Sequence, residues 1–326
     1  MCFYLLITFL KYRLCSILVG CKSKIYFCLI KVNFKQKEMD SKRILITGST
    51  DGIGKITATT LAKLGHVIII HGRNKAKAEK VCEEIKKETG NNKVEYIIAD
   101  LLSLSDIKRM TEEFKKKYEN LDVLINNAGA IFGKEREVTS EGFEKTITLN
   151  LFAPFLLTQL FLETLKKSKS SRIINLYSAM HRHGGKPDFN NFQSDKFYAT
   201  DKAYGLSKLY LVWMTQHLAK DLKEKGINNI TVNACHPGAV ATNFGQDADK
   251  GFVMNIIFKV ALKFMPKPET GARTSIYLAT SPDVENMSGR FFNAKTNFEK
   301  PADKYYSLEN EKLVWEYCKK ITAKYL

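Results

Sequence analysis

The chain has only seven cysteines in 326 residues, at irregular spacing. An odd, unpatterned set provides no disulfide framework, so the main body reads as a reduced, cytoplasmic protein. Four of the seven (Cys2, Cys15, Cys21 and Cys28) crowd the start, leaving Cys82, Cys235 and Cys318 for the rest. Internal repeats and low-complexity linkers are also missing, as is any sign of a second globular domain. There is no stripe of basic and aromatic residues, which argues against nucleic acid as a partner despite a formal charge of +17. The lysines sit instead in runs such as "AEKVCEEIKKETG", with Glu three or four residues from Lys, the pattern of solvated helix faces. No metal set forms either. In "HRH", His181 and His183 are one residue apart and point opposite ways on extended chain, and no Cys or acid cluster joins them, His217 or His236.

Residues 1–38 have a single acid and no long apolar run. They carry seven Lys or Arg against Glu38, so +6 of the charge lies there and +11 in the remainder. Their apolar runs are broken by Lys11, Arg13, Lys22 and Lys24 and fall well short of the roughly 20 residues that cross a bilayer. A charged start and a small-residue cleavage site, the marks of a signal peptide, are absent. We read this segment as translated upstream sequence, with the domain beginning at Met39; a membrane-surface anchor and a targeting segment are the alternatives.

What is present is a regular alternation of strand and helix from Arg43 onward. "RILITGSTDGIGKITATTLAKLG" reads as a strand, a turn with Gly48, Gly52 and Gly54, and a helix. The strand "HVIIIHGRN" and a helix from about Lys75 to Glu88 follow. This βαβ unit, with a glycine-rich first turn, is the arrangement that binds a dinucleotide pyrophosphate at a helix N-terminus. Alternation throughout predicts an α/β fold, a single-domain doubly wound parallel sheet of the Rossmann type spanning residues 39–326.

At the place of the acid that accepts from the ribose of NAD, about twenty residues beyond the glycines, stands Arg73. A carboxylate repels a 2′-phosphate and an Arg pairs with it through two hydrogen bonds. NADP(H) is therefore the expected cofactor, with NAD(H) the alternative; Asp51, inside the turn, is a counterweight.

The turn is spelled Thr-Gly-x-x-x-Gly-x-Gly, and further motifs follow in order. "NNAG" (Asn126–Gly129) closes a fourth strand, "LNLF" contains Asn150, and "RIINLYS" ends at Ser178. Then come Tyr204-x-x-x-Lys208 and "HPG" with Pro237 and Gly238. From Lys42 to Asn293 the chain resembles the short-chain dehydrogenase/reductase family. That resemblance implies catalytic roles for Asn150, Ser178, Tyr204 and Lys208. Tyr204 would be the general acid/base, Ser178 would hold the substrate oxygen, and Asn150 would join a proton relay to Lys208. It also implies cofactor contacts from Gly48, Ser49, Asp51, Gly52, Ile53 and Gly54, and from Arg73, Asp100, Leu101, Asn127, Ala128 and Gly129. Tyr204, Lys208, Pro237, Gly238 and Thr242 complete that set, with Asp100 against adenine and Thr242 against the nicotinamide amide.

Tyr-x-x-x-Lys occurs twice, as Tyr198 with Lys202 and Tyr204 with Lys208. A helix capped by Thr200 or Asp201 contains only the second pair, so only Tyr204 and Lys208 share a helix face. Tyr198 is expected beside the substrate entrance without chemistry of its own.

The 25 residues between Ser178 and Tyr204, together with "CHPGAVATNFG", are similar to the retinol dehydrogenase-like branch. The branch implies a small lipophilic carbonyl or alcohol as substrate. Tyr177, where a serine commonly precedes the catalytic one, departs from its pattern. Residues 243–270 have apolar positions at helical spacing and read either as a core helix or as an apolar substrate lid, which keeps a membrane surface open as a partner. Homo-oligomers are equally open. A non-catalytic dinucleotide sensor or scaffold of the same fold is the competing function.

Overall fold

The computed structural model describes residues 41–238 and 267–326. Residues 1–38, Thr242 and the anticipated lid up to residue 266 lie outside them. From Pro268 onward that span is the first turn of a helix (Pro268–Thr280).

Seven parallel strands build the sheet: β1 (Arg43–Ile46), β2 (Val67–Gly72), β3 (Val94–Ile98), β4 (Val123–Asn126), β5 (Ser171–Leu176), β6 (Ile230–Cys235) and β7 (Phe291–Phe292). Their order is 3-2-1-4-5-6-7. Strands such as "RILI" and "ITVNAC" are apolar nearly throughout because helices cover both faces of the sheet. Period-two alternation still sorts the side chains. Leu45, Ile69, Leu124 and Ile173 face one core, while Ile44, Ile68, Val123 and Ile174 face the other.

The second core is closed by α1 (Gly52–Lys63), α2 (Lys75–Thr89) and α6 (Pro268–Thr280), through Leu61, Val81 and Leu278. The first is closed by α3 (Leu104–Lys117), α4 (Lys145–Lys166), α5 (Thr200–Glu224) and α7 (Leu308–Thr322), through Phe114, Phe155, Leu209 and Val314. Among the described residues, α4 is long and apolar enough to cross a membrane, yet most of it is buried inside the domain. It is a core helix here.

The helix at Tyr204 begins where expected, at Thr200, but its cap differs. Ala199 holds the extended N-cap position and supplies no side-chain bond. Thr200 donates its hydroxyl to Gly133 O at 2.8 Å, tying the helix start to the loop after β4. Tyr198 therefore lies before the helix, as its sequence context implied.

Because β1 pairs with both β2 and β4, the strand order reverses at β1. The crevice of a doubly wound sheet opens there, above the carboxyl ends of the strands. The glycine turn after β1 and "NNAG" at the end of β4 lie side by side there, with Asn127 Nδ2 donating to Thr47 O.

Candidate active site

A cleft of ≈ 590 Å³ occupies this crevice. Its floor is the turn from Gly48 to Gly54. Gly48 has φ +61°, a conformation side chains avoid, and a Cβ on it would lie 3.1 Å from Ala128. Asp51 caps α1 by accepting from Gly52 N at 2.8 Å. The walls are Asp51, Gly52, Ile53, Arg73, Asp100, Leu101, Asn127, Ala128, Gly129 and Pro237.

Ser49 is one anticipated contact that does not line the cleft. Its amide donates to His71 O at 2.9 Å, and its hydroxyl donates to Ile46 O at 2.7 Å while accepting from His71 N at 2.9 Å. Its polar groups brace the turn and do not face the cleft. Asn127 divides its roles, lining the cleft while its Nδ2 donates to Thr47 O at 2.8 Å. Gly238 follows Pro237 with φ +76° but is not part of the cleft wall.

Sequence reasoning missed His71. It is buried at the end of β2, its Nδ1 accepts from Gly48 N at 3.1 Å, and its Nε2 donates to Ala99 O at 3.1 Å. Burial pushes its pKa down to about 4, so the ring stays neutral and serves both bonds at once. One side chain thus clamps the turn after β1 to the ends of β2 and β3. Lys77 was missed as well. From the first turn of α2 it reaches Asp51 Oδ2 at 2.7 Å and lines the cleft beside Arg73. The counterweight that Asp51 posed against a phosphate is thereby partly neutralised.

The other end of the cleft holds Tyr204 and Lys208. Both are buried on one face of α5, with Lys208 Nζ 5.8 Å from the Tyr204 ring centre. Ser178 lies close to the Tyr204 hydroxyl and favours its ionised form. Lys208 Nζ donates to Leu176 O at 3.0 Å. Asn150 sits in a π-helical turn, Thr148–Phe152, within α4, an irregularity of the kind found at functional sites. Its Nδ2 donates to Ala130 O at 2.9 Å. A Cβ on Gly129 would meet Asn150 Oδ1 at 2.8 Å and Lys208 Nζ at 3.1 Å, so these two groups converge on the same glycine.

The four residues are brought together, and burial sets their electrostatics. Desolvation pushes the Lys208 pKa down to about 7. It raises Tyr204 to about 12, with the nearby Ser178 opposing the rise. Gly205, next to Tyr204, has a packing role, since a Cβ there would lie 2.6 Å from Gly184. Its absence lets the segment after Ser178 rest directly on α5.

The residues present fit a dinucleotide. Tight glycines border a helix N-terminus, a carboxylate at Asp100 stands beyond β3, and a cation stands at the end of β2. The comparisons with known proteins agree. The short chain dehydrogenase family matches residues 42–251. Human polyprenol dehydrogenase is 40% identical over 258 residues, covering 77% of this chain and 76% of that protein. Human retinol dehydrogenase 14 is 37% identical over 268 residues, 78% of each. A short chain dehydrogenase from Shigella flexneri 2a strain 301, solved with NADP, superimposes with a TM-score of 0.63 at 25% identity, covering 80% of this chain and 100% of that one. The chain belongs to the short chain dehydrogenase family, in its retinol dehydrogenase-like branch, and is an oxidoreductase of CH–OH and C=O groups.

Proposed function

We propose that the protein transfers a hydride between NADP(H) and a lipophilic carbonyl or alcohol, with Tyr204 as general acid/base. The observation that carries this reading is Tyr204 close to Ser178, with the Lys208 amine buried on the same helix face at one end of a glycine-floored cleft. Bound NADPH supplies the hydride; the rest falls to the chain. Ser178 and Tyr204 together hold the substrate oxygen, and Tyr204 moves its proton. With a pKa near 12, Tyr204 carries that proton at neutral pH and is matched to donating it to a reduced carbonyl. Running the reaction as an oxidation requires the phenolate, which a protonated Lys208 stabilises. Asn150, converging with Lys208 on Gly129, stands where a relay from Lys208 would pass.

Arg73 supports NADP(H) over NAD(H): it lines the cleft at the end of β2, with Lys77 as a second cation nearby. The Shigella relative was solved with NADP, in the same direction. The lipophilic class rests on the two human relatives, whose names specify retinol and polyprenol. The test is NADPH and NADH oxidation by the full chain against retinal, polyprenals, aliphatic aldehydes, steroids and quinones. NADPH-dependent turnover of an apolar aldehyde is expected. No turnover with any carbonyl or alcohol would favour the sensor reading, and a preference for NADH would remove the role given to Arg73.

A further inference from the structure

The histidines dismissed as metal ligands have a different use. His181 stands three residues after Ser178, and its Nε2 accepts from the amide of Ala302 at 3.0 Å. The ring proton must then sit on Nδ1, which faces Ser178 O at 2.7 Å and donates to it. The His181 amide donates to the same carbonyl at 3.0 Å. Burial holds the ring neutral, with a pKa near 4, so this arrangement persists across the working pH range.

His236 begins the turn that leads to Pro237 on the cleft wall. Its Nδ1 accepts from Gly238 N at 3.1 Å, which leaves the proton on Nε2 to donate to Glu299 Oε2 at 2.8 Å. The other oxygen of Glu299 pairs with Arg182 Nη2 at 3.0 Å, and Arg182 also donates to Lys300 O at 2.6 Å. One carboxylate therefore bridges the arm that carries Ser178 and the arm that carries Pro237. Between the arms the Tyr177 ring stands edge-on to both histidines, at 5.2 and 5.3 Å.

We propose that the segment Glu299–Ala302 is a strap that fixes the catalytic serine and the Pro237–Gly238 turn relative to each other, with Glu299 as a positioning residue acting through His236 and Arg182. The proposal rests on the hydride-transfer reading for its kinetic consequence and on the hydrogen bonds alone for its structural one. Placing groups to within a fraction of an ångström affects the reaction step far more than it affects substrate binding. An ordinary exposed ion pair affects neither.

The test uses the full chain and two variants. In Glu299→Leu, amide hydrogen exchange should rise about tenfold in peptides spanning 178–183 and 236–238, with peptides spanning β1 to β3 unchanged. If turnover is established, kcat should fall about tenfold while the KM for the carbonyl and the Kd for NADPH move less than about threefold. Glu299→Gln, which keeps an acceptor for His236 Nε2–H but turns its amide NH2 toward Arg182, should return exchange in 236–238 toward wild type while leaving 178–183 accelerated. Unchanged exchange in the two arms would overturn the strap whatever the activity. Accelerated exchange with wild-type kcat would reduce Glu299 to a structural residue and overturn its positioning role. A wild-type chain without turnover would count against the hydride-transfer reading alone, because the exchange result still decides the strap.

Discussion

The two ends of the cleft are built on different principles. At the dinucleotide end, from Gly48 to Arg73, the work is done by backbone shape. Tight glycines are held by Ser49, Asn127 and a neutral His71, and the charged groups, Asp51, Arg73 and Lys77, are exposed. At the end proposed as catalytic, shape is secondary to burial. Tyr204 and Lys208 are 5% and 3% exposed, and both have strongly displaced pKa values. Solvent screening keeps each charge at the first end cheap and individually weak. Desolvation makes each ionisable group at the second costly and consequential. Substitutions at the two ends should differ accordingly.

The largest effect is expected at Tyr204. Tyr204→Phe removes the transferable proton and leaves the ring's packing, so turnover should fall by about 10³-fold or more. NADPH binding, read by fluorescence titration, should hold within about threefold. Tyr198→Phe should retain most activity, since Tyr198 precedes the helix. The opposite ranking would place the chemistry on the wrong pair and erase the contrast between the ends.

Lys208 gives the contrast a thermodynamic form. Its pKa is lowered from 10.5 to about 7 by burial. Between pH 7 and about 10 the unfolded chain holds a proton that the folded chain has released, so stability attributable to this site rises with pH across that window. Below pH 7 both states are protonated and the burial penalty is fully present. Lys208→Met should therefore abolish turnover yet stabilise the fold by about 2–4 kcal/mol at pH 6–7, with the gain shrinking toward pH 10. Thermal melts at three pH values check this. A variant less stable than wild type at pH 6 would mean that the bond to Leu176 O outweighs desolvation.

Much of this was legible in the sequence because glycine spacing and the Tyr-x-x-x-Lys pair are local signals. The alternation of strand and helix, the turn after β1 and the reading of Tyr204 over Tyr198 come from residues near one another in the chain, whereas Asn150 and Ser178 entered only through the family resemblance. What was not legible depends on contacts across the fold. His71 looks like an interior strand position; its function appears only when Gly48 and Ala99, 23 and 28 residues away, are placed on either side of the ring. His181 and His236 read as a weak metal motif because their partners, Ala302 and Glu299, lie 121 and 63 residues downstream. Ser49 resembled a cofactor contact by its place in the motif, but which way a hydroxyl points in a tight turn is settled by the neighbouring strand. Ala199, rather than the expected Thr200 or Asp201, holds the N-cap position of α5, while the Thr200 hydroxyl donates across the fold to Gly133 O.

At the exposed end, Arg73→Ala should weaken NADPH binding by about tenfold and leave NADH within about twofold, the loss of one charge-assisted contact in partial solvent. Titration with 2′,5′-ADP and 5′-ADP isolates the same difference without any turnover. Equal affinity of the wild-type chain for the two would show that the exposed cations do not read the 2′-phosphate.

The smallest effect is the most discriminating. Lys77 and Asp51 form an ion pair in which both side chains are about half exposed, at 49% and 54%. Removing Lys77 has two consequences of the same sign: a cation beside the proposed 2′-phosphate position is lost, and the Asp51 carboxylate at the start of α1 loses one of its charge partners. Both are screened, so Lys77→Met should weaken 2′,5′-ADP binding only about threefold to fivefold at low salt, with most of the difference gone near 0.5 M. Adding Asp51→Asn should restore part of the loss, and for 5′-ADP it should restore nearly all of it, since there only the Asp51 charge is at stake. If Lys77→Met instead cost as much as Tyr204→Phe costs in turnover, the dinucleotide end would depend on a desolvated charge after all, and the two ends of the cleft would obey one rule.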